Sequence, residues 1–335
     1  YDRFDHQWTQ IIENLNVKES GEVSASTFLR HYLMSTGVYI SKDDLFKHFK
    51  DTFENIKSQQ KVQQKVLETL EELNETSKLY KDYSNGKGNS HIAAMHKLKF
   101  KQGIVVLLGC KSFHKDDLKK VSKLLEQIAF AYVITNSQTN ALERKFVKIA
   151  ELASKSTKDP SKKDEMYDEL KKIALEKRQE VRNALMTFRY KPNLNAKNKI
   201  HYLLNKLSLN LDGSEYPEFE IEHILPKKQG SEWKHITGDY DDLKIRLGNL
   251  TLINPSDNSS LQNKSFSEKI NVYINQPCRL TSSLAVPIST GTSSTVHDKA
   301  IKIYDYKPPK EWNEKEIDRR TKQLIELTDY VFFGN

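Results

Sequence analysis

The chain has 335 residues, of which 37% are hydrophobic and 29% charged, and its formal net charge is +8 at neutral pH. This length favours two or three domains, and no apolar run approaches the roughly 18 residues of a membrane span. Cys110 and Cys278 are the only cysteines, too few for a cysteine-based zinc cluster and typical of a reducing compartment. We therefore expect a cytoplasmic protein without a membrane partner. Because the first residue is Tyr1 rather than methionine, we also expect an upstream part to be missing.

The first 205 residues read mainly as helices. Apolar residues at helical spacing predict helices over 44–82, 115–134, 141–153 and 164–188. The stretches SNGKGNS at 84–90 and NLDGSEYPE at 210–218 look like joints. We therefore predict three regions: an N-terminal helical subdomain over 1–88, a basic helical subdomain over 89–209, and a third domain over 210–335.

The positive charge is concentrated in the middle of the chain. Residues 91–205 carry 24 basic and 12 acidic side chains, whereas the segments on either side are neutral or slightly acidic. Such a basic segment is typical of proteins that bind a phosphate backbone. The alternative is a lysine-rich helical surface without a ligand.

The third region begins with a different pattern. In EIEHILP, at 220–226, Glu222 and His223 stand side by side near the end of an apolar strand. Asn249 and the four residues after it predict a second short strand, 255–258 predict a turn, and SFSE at 265–268 is a capping box that opens a helix to about Tyr273. A final helix begins near Trp312. The predicted fold is mostly α (α+β), with a helical bundle followed by a small ββα unit embedded in helices.

This unit brings together groups that suit phosphodiester chemistry. Glu222 and the amide oxygen of Asn258 are hard ligands for Mg²⁺ or Mn²⁺, and they leave coordination sites open for phosphate and water. His223, with an ordinary pKa near ~6.5, can take a proton from water at neutral pH. Asn249 would tie the loop after His223 to the second strand. A chance polar pair at the end of a strand is the alternative interpretation.

Cationic side chains surround the same unit. Lys264 and Lys269 flank the start of the predicted helix and could neutralise charge that develops on the phosphate. Lys227, Lys228 and His235 are candidates for contact with the DNA backbone, although solvated surface side chains would look the same in the sequence.

The segments EHILP and GNLTLINPSDNSSLQNKSFSEK resemble the His-Asn-His (HNH) nuclease motif in the form found in GmrSD-type, modification-dependent (Type IV) restriction enzymes. The resemblance implies an HNH (ββα-metal) DNA endonuclease of a bacterial anti-phage system, acting on DNA, including modified phage DNA. It places the general base at His223, the metal ligands at Glu222 and Asn258, and the structural asparagine at Asn249. It also implies an upstream nucleotide-handling domain. The interval between His223 and Asn249 is longer than in compact HNH enzymes and contains His235.

Two other functions remain open at this point. A degenerate nuclease would bind nucleic acid without cleaving it, and the basic middle segment favours that class. The helices of the first 205 residues could instead be a regulatory module that holds the nuclease silent.

Overall fold

The computed structural model of the protein describes residues 2–15, 24–191, 194–289 and 295–334, which are mostly helical. Contacts between Cα atoms divide the chain into two compact units, Tyr1–Glu176 and Lys177–Asn335. This division differs from the predicted limits after residues 88 and 209. Within the described ranges, no helix combines the length and the apolar character that a membrane crossing requires.

The first unit is built from helices alone in its described part. In chain order these are α1 Asp2–Leu15, α2 Ala25–Ser35, α3 Leu45–Glu54, α4 Gln59–Ser84, α5 Ser90–Lys97, α6 Ile104–Gly109, α7 Lys115–Ile134, α8 Asn140–Lys155 and α9 Ser161–Glu176.

Helix α6 lies at the centre of this unit, because its sequence IVVLLG is apolar on every side and all six residues are buried. Helices α2, α4 and α8 pack against it. A Cβ atom on Gly109 would lie 2.8 Å from the carbonyl oxygen of Ala150, so only glycine allows α6 and α8 to approach this closely. The packing of α2 on α6 and α8 crosses residue 88, and this is why the predicted joint at 84–90 lies inside one unit.

The predicted helices are partly confirmed. Helix α7 has the predicted bounds, but the predicted helix over 44–82 is two helices, α3 and α4, because the chain leaves the helix at Asn55. There the side chain of Asn55 donates to the carbonyl oxygen of Asp51, 2.7 Å away, a local hydrogen bond that competes with helix continuation. The predicted helix over 164–188 is likewise divided, at Lys177.

The second unit combines helices with a two-stranded sheet. Its elements are α10 Arg178–Met186, α11 Leu194–Asp212, β1 Glu220–His223, α12 Tyr240–Leu243, β2 Leu250–Ile253, α13 Pro255–Leu261, α14 Phe266–Tyr273, α15 Arg279–Ser282, α16 Val296–Tyr304 and α17 Glu314–Phe333.

Strands β1 and β2 are antiparallel and are supported by long helices. Helix α11 packs on both strands and on α15, α16 and α17. The predicted limit after residue 209 therefore cuts through a helix whose buried side, including Leu203, Leu204 and Leu207, belongs to the same core as the sheet.

The segment after β2 differs from the prediction in one respect. Residues 255–258 were predicted as a turn, but they begin helix α13, which has Pro255 in its first turn and Asn254 as its N-cap. The next helix, α14, agrees with the prediction. Ser265 accepts from the backbone amide of Glu268, and the carboxylate of Glu268 accepts from the amide of Ser265, which completes the capping box.

Candidate active site

The pair Glu222–His223 ends strand β1, and β2 fixes its position. Glu222 lies opposite Thr251 and His223 lies opposite Leu250. Because neighbouring side chains of a strand point to opposite faces, the carboxylate and the imidazole enter different surroundings. Both residues are buried, with only 6% of their surface exposed.

The carboxylate of Glu222 binds two side chains of helix α14. Its Oε1 atom accepts a hydrogen bond from Lys269 Nζ at 2.6 Å and another from the hydroxyl of Tyr273 at 2.9 Å. Both partners are completely buried. Burial lowers the pKa of Lys269, and Glu222 opposes that effect, whereas burial and Glu222 together raise the pKa of Tyr273. Glu222 is thus the counter-ion of a buried ammonium group.

The burial of Lys269 changes the role expected for it. Its Nζ atom also donates to the carbonyl oxygen of His223 at 2.9 Å, so the side chain points into the unit and is not presented to a phosphate at the surface. The reason is helical geometry, because Lys269 lies on the same side of α14 as the buried residues Phe266 and Tyr273. Lys264, in contrast, precedes the helix and is exposed.

The imidazole of His223 lies on the other face of the strand, edge-on to Tyr190 with 5.5 Å between the ring centroids. Burial lowers its pKa to about 3, and the positive charges of Lys227, Lys269 and Lys244 lower it further. In the described part of the chain the ring makes no hydrogen bond. Its two nitrogens are nevertheless not among the polar atoms that are fully buried without a partner. The ring is neutral at neutral pH, and its nitrogens keep a narrow contact with solvent.

Asn249 holds the segment that follows His223. Its Oδ1 atom accepts from the backbone amide of Leu225 at 2.7 Å and from the indole of Trp312 at 3.0 Å. Its Nδ2 atom donates to the carbonyl oxygens of Leu225 and Lys244, each at 2.9 Å. The side chain is completely buried and uses both ends of its amide, so it joins the chain after β1 to the chain before β2.

The second expected metal ligand, Asn258, has a different partner. Its Nδ2 atom donates to the carboxylate of Glu220 at 2.7 Å, and no hydrogen bond between described residues joins it to Glu222. Within the described ranges, no group of three or more His, Cys, Asp or Glu side chains could hold a metal ion. The oxygens of Glu222 and Asn258 suit Mg²⁺ chemically. A cation at Glu222 would share that carboxylate with Lys269 and Tyr273, whereas the hydrogen bond of Asn258 to Glu220 uses Nδ2 and not the amide oxygen that would bind the ion.

Comparison with protein families identifies the region that contains this site. Residues 175–327 match the model of the C-terminal domain of GmrSD restriction endonucleases. Most of the second unit is therefore similar to the GmrSD C-terminal domain. It is therefore a module related to restriction endonucleases. No curated protein matches the chain significantly.

The remaining candidate residues of the GmrSD C-terminal domain lie at its surface. Lys227 and Lys228 are exposed directly after the buried segment that follows His223, and the side chain of Lys244 donates to the carbonyl oxygen of Lys227 at 3.1 Å. His235 stacks on Trp233, and its Nε2 atom lies 3.2 Å from the carbonyl oxygen of Trp312. Lys227 is close enough to lower the pKa of His223, and His235 packs against Trp233.

The sequence analysis missed several residues that build the candidate site. Arg320 of α17 is completely buried. It donates to the carbonyl oxygens of Gly248, Leu250 and Leu280 at 2.7–3.1 Å. These hydrogen bonds hold the start of β2 in place. The indole of Trp312 donates to Oδ1 of Asn249 and so helps to hold that side chain. A signal existed for Tyr273, which follows Phe266 and Lys269 at helical spacing.

Proposed function

We propose that the second unit is an HNH-type DNA endonuclease in which His223 deprotonates the attacking water. The family match supports a nuclease, and the sheet followed by the capped helix α14 supports a ββα-metal unit within it. The observation that carries the proposal is the state of His223: its ring is held at a fixed strand end, neutral, and without a competing hydrogen bond in the described residues. A general base must have a free nitrogen and a fixed position.

The surroundings of His223 also favour an anionic substrate. Lys227 and Lys244 are close enough to depress the pKa of the imidazole, and the same positive charges would attract a phosphodiester. A bound phosphate would reverse their effect, because a negative charge stabilises the protonated imidazole. The site would thus become more basic when DNA is bound. Lys228, exposed beside Lys227, would contact the backbone, and the exposed Lys264 could do so from the start of α14.

The divalent cation belongs to this proposal. Mg²⁺ or Mn²⁺ held by oxygens of Glu222 and Asn258 would polarise the phosphate and stabilise the leaving oxygen. The cation would compete with Lys269 for the carboxylate of Glu222, whereas the Asn258–Glu220 hydrogen bond uses Nδ2 and does not involve the amide oxygen of Asn258. The measurement is thermal unfolding with and without Mn²⁺: a rise in the midpoint that Asn258→Ala abolishes is expected, and an equal rise in the variant would exclude Asn258 as a ligand.

The central test is the nicking of supercoiled plasmid in Mg²⁺ or Mn²⁺. His223→Ala should reduce the rate by about 10²–10⁴-fold, the usual contribution of a general base. The matched control is His297→Ala, because His297 is exposed on helix α16 of the same unit. Equal nicking by the wild type and His223→Ala would end the assignment of the base. In the biological setting, we propose that the substrate is DNA in a modification-dependent defence system, with an upstream nucleotide-handling domain as partner.

A second candidate function is DNA binding without cleavage. The Glu222–Lys269 ion pair favours it, because a carboxylate whose charge is already balanced has less affinity for a cation. It predicts DNA binding that weakens steeply with salt, and no nicking in any divalent metal. Cleavage that His223→Ala abolishes would exclude it.

A further inference from the structure

The first unit contains a cavity of about 370 Å³ that the nuclease proposal does not use. It lies between the end of α4, helix α5, the segment 99–101 and helix α6. Its volume is in the range of small-molecule sites, about 300–1,000 Å³. All of its lining residues belong to one compact unit, so the cavity is a property of that unit alone.

The lining has an apolar part. It consists of the side chains Ile92, Met95, Phe100, Ile104 and Leu107, all of which are buried. Phe100 adds an aromatic ring, which itself packs edge-on against Phe146 with 6.2 Å between centroids and is therefore held in place. Such a surface accepts a flat or apolar ring.

The lining also has polar groups whose hydrogen-bonding capacity is unused. In the described part of the chain, the hydroxyls of Tyr83 and Ser84, the imidazole of His96 and the ammonium of Lys99 make no hydrogen bond and no ion pair with another residue. Tyr83 and Ser84 are 8% and 5% exposed. Burial raises the pKa of Tyr83 to about 12, so its hydroxyl remains a donor. Buried residues with polar groups usually have partners for them, and the two unused hydroxyls of Tyr83 and Ser84, beside the more accessible His96 and Lys99, indicate a ligand that supplies them.

The positive charge of the lining favours a ligand with a negative charge. Lys99 and Lys101 are cationic and exposed at the cavity, and none of the described residues that line it is acidic. A ligand that satisfies the site therefore combines an anionic group for Lys99, hydrogen-bonding edges for the two hydroxyls, and a ring for the apolar part.

We propose that this cavity binds a mononucleotide, with the base against Phe100 and the apolar part, and the phosphate at Lys99 and His96. The same chemistry has two sources: a free nucleoside monophosphate, or one nucleotide of a DNA strand turned into the cavity. The proposal does not depend on catalysis by His223, which lies in the other unit.

The test is isothermal titration calorimetry of the full chain in EDTA, so that no cleavage occurs. The probes are the four deoxynucleoside monophosphates and a single-stranded oligonucleotide. Lys99→Glu should weaken binding by at least about tenfold, since it replaces the cation that holds the phosphate with an anion. The matched control is Lys119→Glu, which makes the same change at an exposed position of α7 away from the cavity and should weaken binding less.

A second variant tests the interior of the cavity. Ser84→Val replaces the hydroxyl with a methyl group and adds a second methyl group, and it should weaken binding without altering the net charge. Hydrogen exchange should show protection of residues 83–107 by the probe. Binding of the monophosphates identifies a free nucleotide as a ligand, whereas binding of the oligonucleotide alone identifies a nucleotide within DNA. The proposal is overturned if no probe binds, or if Lys99→Glu and Lys119→Glu weaken binding equally.

Discussion

Lys269 brings a formal charge into the interior of the second unit, where its polar partners among the described residues are Glu222 and the carbonyl oxygen of His223. Desolvation of an ammonium group costs several kcal/mol, and the paired carboxylate offsets this cost. The ion pair therefore couples helix α14 to the end of β1, directly at the residue that we propose as the base.

A double-mutant cycle measures this coupling. Glu222→Gln and Lys269→Met should each reduce the free energy of unfolding by about 3–5 kcal/mol, because each leaves one charge buried without its partner. The double variant should lose clearly less than the sum of the two. Urea unfolding at pH 7 is the measurement, and Lys264→Met at an exposed position is the control, expected within about 0.5 kcal/mol of wild type. Additive losses would show that the pair is not coupled.

His31 in the first unit gives a pH-dependent contribution to stability. Burial lowers its pKa from 6.5 to about 4, aided by the charge of Arg30, and its Nδ1 atom lies 2.9 Å from the hydroxyl of Tyr80. The unfolded chain therefore takes up a proton near pH 6.5, whereas the folded protein does so only near pH 4. The stabilisation is present above pH 6.5 and is lost as the pH falls towards 4.

The variant His31→Asn removes this titration and keeps a side chain that can accept from Tyr80. Between pH 7 and pH 5, the free energy of unfolding of the wild type should fall by about 2 kcal/mol more than that of the variant. Urea titrations at the two pH values give the difference. The exposed His114→Asn should leave the pH dependence as in the wild type, and the same slope in His31→Asn would contradict the assignment.

At the scale of single residues, the sequence indicates candidate residues but not all of their contacts. Glu222, His223 and Asn249 were recognisable because each has a characteristic neighbourhood in the chain. The partner of Glu222 was not, because it depends on which side of α14 faces the strand. Lys269 occupies a position of the apolar stripe of that helix, and a charged residue in such a stripe is the signal that was available.

Elements with strong local signals were predicted best. The capping box fixed the start of α14, and the apolar stripe fixed α7. Prediction failed where a short-range hydrogen bond overrode the periodic pattern, as at Asn55 between α3 and α4, or where Asn254 capped a helix over 255–261 that was predicted as a turn. In each case a hydrogen bond from one polar side chain, and not the periodicity of the apolar residues, determines where the helix begins or ends.

The approach of α17 to the start of β2 depends on one glycine. A Cβ atom on Gly248 would lie 2.0 Å from the carbonyl oxygen of Ile317 and 2.5 Å from the hydroxyl of Thr321. The amide of Gly248 donates to that hydroxyl at 3.0 Å, so the two elements are in direct contact. Any side chain here must displace α17, which carries Arg320 and its hydrogen bonds to β2.

Gly248→Ala should therefore lower the free energy of unfolding by about 3 kcal/mol, the upper range for overpacking. It should also reduce nicking, because it moves the start of β2 that Asn249 connects to His223. The control is Gly230→Ala, where the added Cβ would meet its nearest atom at 3.7 Å and the backbone φ is −95°. Urea unfolding and plasmid nicking are the two measurements. Unchanged stability in Gly248→Ala would show that α17 is free to move.

The whole chain consists of two units of similar size, and the family match begins at residue 175, close to the start of the second unit at Lys177. Charge and hydrophobic patterning did not reveal this limit. The basic segment 91–205 runs through it, and the loop at 210–218 separates two elements of one core. A composition change along the chain marks a surface property, whereas a domain limit is set by which apolar faces are buried together.

Two fragments of the chain distinguish a domain limit at residue 177 from the predicted limit after residue 209. A fragment of residues 177–335 retains α10, whose Arg178 and Arg182 pair with Asp329 and Glu326 of α17, and all of α11. It should unfold in one cooperative transition.

A fragment of 210–335, which follows the predicted limit, removes most of α11 and exposes the core that Leu203, Leu204 and Leu207 cover. We expect it to aggregate or to lack a thermal transition, because the loss of three buried leucines costs about as much as the usual 5–15 kcal/mol of domain stability. Circular dichroism and size-exclusion chromatography are the measurements. Cooperative unfolding of the shorter fragment would place the limit near residue 210 and make α11 dispensable for the sheet.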